Sequence, residues 1–131
     1  MLPASFDYIF KWIGFEMKKP QEIKVPEIRY VGEQNGEPEQ DLKQRLCRFF
    51  ERDPSVKAAY LARVNYGHAQ QVGVALCLKT VFGPDKGLVE KIGAIFAAVF
   101  NASEHLDILF LDESQESDLR KVCSSFYNRQ T

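Results

Sequence analysis

The sequence predicts a single α+β domain, and three observations carry that expectation. Two neighbouring segments, "VKAAYLARVNY" and "QVGVALCLKT", alternate apolar and other residues with the period of two that marks strands. Two others place apolar residues three and four apart, the period of a helix packed on one side. At 131 residues the chain suits one domain with a real hydrophobic core.

Phe6, Ile9, Phe10, Ile13 and Met17 fall at spacings of three and four, so an amphipathic N-terminal helix is expected, with Ser5 as its cap. Prolines 20 and 26 in "KKPQEIKVPE" mark an extended connector, dividing residues 1–27 from a domain over 28–131. "EIRYVGE" reads as a short strand, and "NGEPE" after it supplies turn residues and a proline suited to a helix's first turn. Leu42, Leu46, Phe49 and Phe50 form that helix's core stripe, with Lys43, Arg45, Arg48 and Glu51 mostly turned to water, and "RDPS" ends it.

In the next strand Val56, Ala58, Tyr60, Ala62 and Val64 share one face, and with "QVGVALCLKT" it makes a hairpin whose turn holds Gly67 and His68. "FGPDKG" is a breaker. Beyond it Leu88, Ile92, Ile95, Phe96, Val99 and Phe100 mark a second, deeply buried helix. "LDILFLDE" is the last strand, and Leu119, Val122, Cys123 and Phe126 define a short C-terminal helix. The order β-α-β-β-α-β predicts a ferredoxin-like layered sheet with an extra helix at each end. Its two crossover helices would cover one face. Ala59, Leu61, Ala75 and Cys77 are assigned to the other, to be covered by a terminal helix or a second subunit.

Seventeen basic and eighteen acidic residues give a net charge of -1, which argues against nucleic acid as a partner. Cys47, Cys77 and Cys123 are odd in number and form no CxxC pair, so reduced thiols and a cytoplasmic location are expected. The N-terminal "FDYIFKWIGF" carries Asp7 and Lys11 and reads neither as a signal peptide nor as a membrane span.

"ILFLDES" imitates the acidic strand of a nucleotide hydrolase, but no glycine-rich loop ending in Gly-Lys-Ser/Thr accompanies it; "GPDKG" has the wrong spacing. The simpler reading is a core strand running into a helix capped by Ser114 or Ser117, with Glu116 and Asp118 in its first turn. His68 and His105 lack ligand partners at metal spacing. Asp107, near the start of an apolar strand, is expected to face solvent or a backbone amide rather than the core. The cysteines sit in apolar-periodic segments, where a thiol is packing rather than a nucleophile. Neither a catalytic residue, a metal nor a cofactor is expected.

"GEPEQDLKQRL" leading into the first helix, "VKAAYLARV" in the hairpin, "LDILFLDES" in the last strand and a terminal "SSFY" follow one another across residues 28–127. In that order they resemble the C-terminal domain of the SseB family, the proteins named for enhanced serine sensitivity. Two departures stand out. Ser125 occupies the place before Phe126 and Tyr127 where the family usually has proline, and the short aromatic segment stands where the family has a separate N-terminal domain. The resemblance implies an interaction or regulatory module rather than an enzyme, and it carries over no functional residues.

Two functions are therefore expected, in this order. The first is a protein-interaction module that binds an unidentified protein or a second copy of itself, through a surface formed by Phe6, Phe10, Trp12, Ile13 and Leu61. The second is a small-ligand sensor, for an amino acid, with Arg63 and Asn65 as ligand contacts.

Overall fold

The computed structural model describes residues 7–13, 21–25, 28–65, 72–100 and 105–129, with the first two stretches and residues 72 and 105 described as backbone. Ser5, Phe6, Met17, Gly67 and His68 lie outside the described residues. In chain order the elements are β1 (Asp7–Ile13), β2 (Gln21–Val25), β3 (Arg29–Glu33), α1 (Glu37–Glu51), β4 (Val56–Asn65), β5 (Val72–Thr80), α2 (Lys86–Val99), β6 (His105–Phe110), α3 (Glu113–Arg120) and β7 (Tyr127–Asn128).

The fold is α+β, and one mixed sheet organises it in the order β2-β1-β6-β5-β4-β3, with β7 added beside β4. Neither helix-linked pair of strands has the split arrangement expected. β3 and β4, joined by α1, are adjacent and antiparallel, while β5 and β6, joined by α2, are adjacent and parallel. Sequence order alone left this open, because a helix of any length can return the chain to either side of the preceding strand.

The expected N-terminal helix is instead strand β1, paired antiparallel to β6 with Ile9 opposite Leu109 and Trp12 opposite Leu106. "DYIFKWI" is rich in aromatic and β-branched residues, which suit a pleated surface, and β6 would otherwise present an open edge. Tertiary pairing thus overrides a helical spacing of apolar residues.

β2 and β3 stand at opposite ends of the order although only residues 26–28 separate them. Four chain steps reach about 14 Å, whereas five interstrand spacings in a flat sheet span about 24 Å. The sheet therefore bends back on itself.

Two cores flank the sheet. The larger joins Leu42, Leu46 and Phe50 of α1 and Leu88, Val89, Ile92 and Phe96 of α2 to Ala59, Leu61, Leu76, Leu78, Leu106 and Ile108. The smaller, on the opposite face, joins Tyr60, Ala62, Val64, Ala75, Cys77 and Leu109 to Leu119 of α3 and to Cys123 just beyond it. This corrects the expected assignment of faces. Ala59 and Leu61 lie beneath the crossover helices, whereas Ala75 and Cys77 lie on the face that α3 covers. Leu61 pairs with Leu76 and Tyr60 with Cys77, so the two strands contribute alternate residues to alternate cores. The C-terminal helix does cover the second face, as one of the expected alternatives had it.

Asp112, not a serine, caps α3: its carboxylate accepts from the Gln115 amide at 2.7 Å, and the Gln115 side chain accepts from the Asp112 amide at 2.9 Å. An acid three residues before a glutamine is a capping box, which satisfies two otherwise orphaned donors. The acidic pair of "ILFLDES" is thereby accounted for by helix initiation.

Candidate functional site

Leu61, expected on an interaction surface, is 1% exposed and belongs to the main core. Its strand is buried on both faces, so alternation could not show which set of residues meets solvent. Phe10, Trp12 and Ile13 lie in β1, at register positions opposite Ile108, Leu106 and His105. They are thus placed inside the sheet order rather than on a free helix. Arg63 is exposed and Asn65 half-buried, neighbours along β4 paired with Gly32 and Arg29 of β3.

Asp107 is buried to 1% exposure, which excludes solvent of the two expected placements, solvent or a backbone amide, and it stands opposite Lys11 in the β1–β6 register. Lys43 likewise departs from its expected place in water. It is 8% exposed, its ammonium 3.6 Å from Glu33, 3.4 Å from the Asn35 side-chain oxygen and 5.9 Å above the Phe126 ring. The long apolar stem of a lysine lets it line a core while its charge finds partners at the rim.

Across the second face, the Tyr60 hydroxyl donates to Glu116 at 2.7 Å and accepts from Arg120 at 3.1 Å. Burial first, and then the hydrogen bond to Glu116, raises the Tyr60 pKa. This group ties α3 to the sheet.

The three thiols are free, and all are displaced away from the reactive thiolate. Burial raises Cys47, assisted by Glu51, and raises Cys77 far above its ordinary value, assisted by Cys123 and Asp107. Burial also pushes Cys123 up to about 11, with Glu33 adding to the rise and Lys43 opposing it. A raised thiol pKa means that the folded state holds the proton more tightly than the unfolded chain does. The stability it contributes is complete below the ordinary value of 9.0 and is lost as pH rises toward 11. The melting temperature is therefore expected to fall between those values, and Cys123→Ala to flatten the fall; thermal denaturation across a pH series measures both.

Two features remain that could meet another molecule. The first is the turn after β5. Phe82 is 87% exposed and Val81 48%, the most solvent-facing pair of large apolar neighbours among the described residues. This turn is held from both sides. The Val81 amide donates to the Ser55 carbonyl at 2.8 Å, the Thr80 hydroxyl donates to the Gly83 carbonyl at 2.6 Å, and Asp85 caps α2 through the Leu88 amide at 3.2 Å. Gly83 has φ +79, a conformation that favours glycine. "FGPDKG" breaks the pattern of its flanks, and periodicity carries no information about a single exposed side chain in such a turn.

The second is a partly open cavity of about 60 Å³ on the side of the crossover helices, lined by Leu42, Leu61, Val74, Phe96, Phe100 and Leu106, with Glu39 as its acidic member. Among the described residues no three His, Cys, Asp or Glu side chains are grouped to hold a metal ion, and no helix is long and apolar enough to cross a membrane.

This α+β architecture, with two crossover helices on one face and a short capped helix on the other, defines the class of protein. Residues 30–129 match the SseB protein C-terminal domain, and the chain belongs to that family. No curated protein and no solved structure matches it.

Proposed function

We propose that the chain is a non-catalytic protein-interaction or regulatory module, acting in the cytoplasm, whose contact anchor is Phe82. The exposure of Phe82 on a pinned turn is the observation that carries this reading. Hot spots of protein interfaces are enriched in large rigid side chains that enter a pocket of the partner. A turn already held by hydrogen bonds on both sides gives up little conformational entropy on binding, which makes the anchor effective. A single exposed apolar residue is ordinary, but here Val81 adjoins it and the backbone beneath is fixed.

The polar groups support a structural rather than catalytic use of the remaining side chains. Asp112 and Asp85 cap helices, Glu116 and Arg120 hold Tyr60, and the thiols are pushed toward their protonated form. Three free thiols also suit a reducing compartment.

Phe82→Ser is expected to leave stability within about 0.5 kcal/mol, as at other surface positions, while abolishing association. Affinity isolation from the native host, run in parallel with sedimentation of the purified chain, reads out a foreign partner and self-association respectively. Unchanged association of the Phe82→Ser variant in both would refute the assignment.

A second reading, a small-ligand sensor, is favoured by the cavity beside Leu61. Its test is a thermal-shift screen with amino acids, because a ligand that binds only the native state raises its melting temperature.

A further inference from the structure

The cavity is apolar except at Glu39, and the position of that carboxylate is built into the start of α1. Glu39 is the third residue of the helix, where a glutamate commonly reaches back to the N-cap amide. Here it makes no such bond: it lines one side of the cavity, and its Oε2 accepts from the Gln34 side-chain amide at 3.1 Å. Its Oε1 packs so closely over Gly36 that a β-carbon at position 36 would collide with it. Gly36 has an ordinary extended backbone, φ -127 and ψ -177. The space beside Gly36 is thus occupied by the far end of the Glu39 side chain, which a β-carbon there would displace.

A carboxylate offers about four acceptor sites, of which Gln34 uses one. Beside it the rings of Phe96 and Phe100 stack at 4.8 Å, and Leu42, Leu61, Val74 and Leu106 close the rest. An apolar recess with one oriented anion is complementary to a short apolar group carrying a cation.

We infer that this cavity binds a small primary ammonium bearing a short branched aliphatic group, with the ammonium on Glu39 and the aliphatic group among Leu42, Leu61, Val74 and the two phenylalanines. The same chemistry is found in a simple amine and in the ammonium end of an amino acid. This inference deepens the sensor reading and rests on it only in requiring that the cavity admit a ligand.

The test titrates the full chain with isobutylamine, isobutanol and L-valine, following the Gln34 side-chain amide and Gly36 amide resonances by NMR. Isobutylamine should bind roughly tenfold or more tighter than isobutanol, the ratio expected of a charge-assisted hydrogen bond. Glu39→Gln should remove that preference and leave isobutanol unchanged. L-Valine binding alongside isobutylamine would assign the site to amino acids, and L-valine failing where isobutylamine binds would assign it to simple amines. Equal binding of isobutylamine and isobutanol would overturn the inference while leaving a ligand site. No shift with any of the three would overturn the sensor reading too. The comparison of amine and alcohol on the unmodified chain needs no variant to fold.

Discussion

Phe50→Ala is expected to destabilise the domain by about 3–5 kcal/mol, the usual cost of removing a fully enclosed aromatic side chain. Phe50 has no exposed surface, and it is where α1 meets the C-terminal segment. Its ring centroid lies 5.6 Å from Phe49, 5.4 Å from Tyr127 and 6.5 Å from Phe126, all tilted contacts of the kind aromatic rings favour. Truncation leaves a void where α1 meets Phe126 and Tyr127, inside the core that α1 and α2 form with the sheet. Urea denaturation should show the midpoint falling with the slope unchanged, the signature of lost stability rather than a changed unfolded state. Phe49→Ala, at a half-buried position beside it, should cost distinctly less. Equal losses at the two positions would mean that enclosure is not what makes Phe50 important.

The strongest sequence signals were those in which local pattern and burial agree. α1 and α2 follow their apolar stripes, and the β4–β5 hairpin pairs along its length, because a period of 3.6 or 2 reports directly on which side meets the core. Three things were hidden for definite reasons. β1 carries apolar residues at helical spacing, and only the open edge of β6 decides that they form a strand. β4 is buried on both faces, so its alternation could not say which set faces the helices, and Leu61 was misplaced in consequence. Sheet order depends on contacts distant in sequence, which is why the β-α-β-β-α-β succession was readable and the neighbours of each strand were not. Of the two candidate sites, Phe82 sat unremarked in a turn. Glu39 lies within "NGEPE", a stretch legible only for its turn residues and proline, and its place on the cavity wall and against Gly36 sets it apart.

The terminal "SSFY" was legible as a family marker, but its physical role extends to a residue beyond it. From α3 the chain passes to the edge of β4, where the Phe126 amide donates to the Ala59 carbonyl at 2.9 Å and the Arg129 amide to the Lys57 carbonyl at 2.8 Å. β3 covers one stretch of that edge, from Ala62 to Asn65, and β7 covers another, at Ala58 and Ala59. Ser125 precedes a segment that these bonds tie to β4 at Phe126 and at Arg129. Cys47, reaching from α1 to the Phe126 carbonyl at 3.4 Å, adds a further tie.

Arg129→Ala is expected to cost about 2–4 kcal/mol, combining the loss of charge-assisted hydrogen bonds with the loss of a cation at a helix C-terminus. One nitrogen of the Arg129 guanidinium donates to the carbonyls of Phe50 at 2.8 Å, Glu51 at 3.2 Å and Asp53 at 3.4 Å, while Nε donates to Val56 at 3.3 Å. Phe50 and Glu51 belong to the last turn of α1, whose carbonyls lack the usual partner four residues on within the helix, and the Phe50 carbonyl also accepts from the Asp53 amide at 3.0 Å. The Tyr127 hydroxyl donates to the same Phe50 carbonyl at 3.2 Å, and the guanidinium lies 6.0 Å from the Tyr127 ring. One side chain thus joins the end of α1, the turn after it and the start of β4. Lysine offers a point charge without the planar fork, so Arg129→Lys should recover the interaction with the helix end but not the divergent bonds to Phe50 and Val56. The expected order of urea midpoints is wild type, then Arg129→Lys, then Arg129→Ala. Hydrogen exchange should locate the loss at the C-terminal turn of α1 and the first residues of β4. A variant of Arg129→Ala as stable as the wild type, with exchange there unchanged, would show that the backbone pairing of β7 alone holds the C-terminal segment.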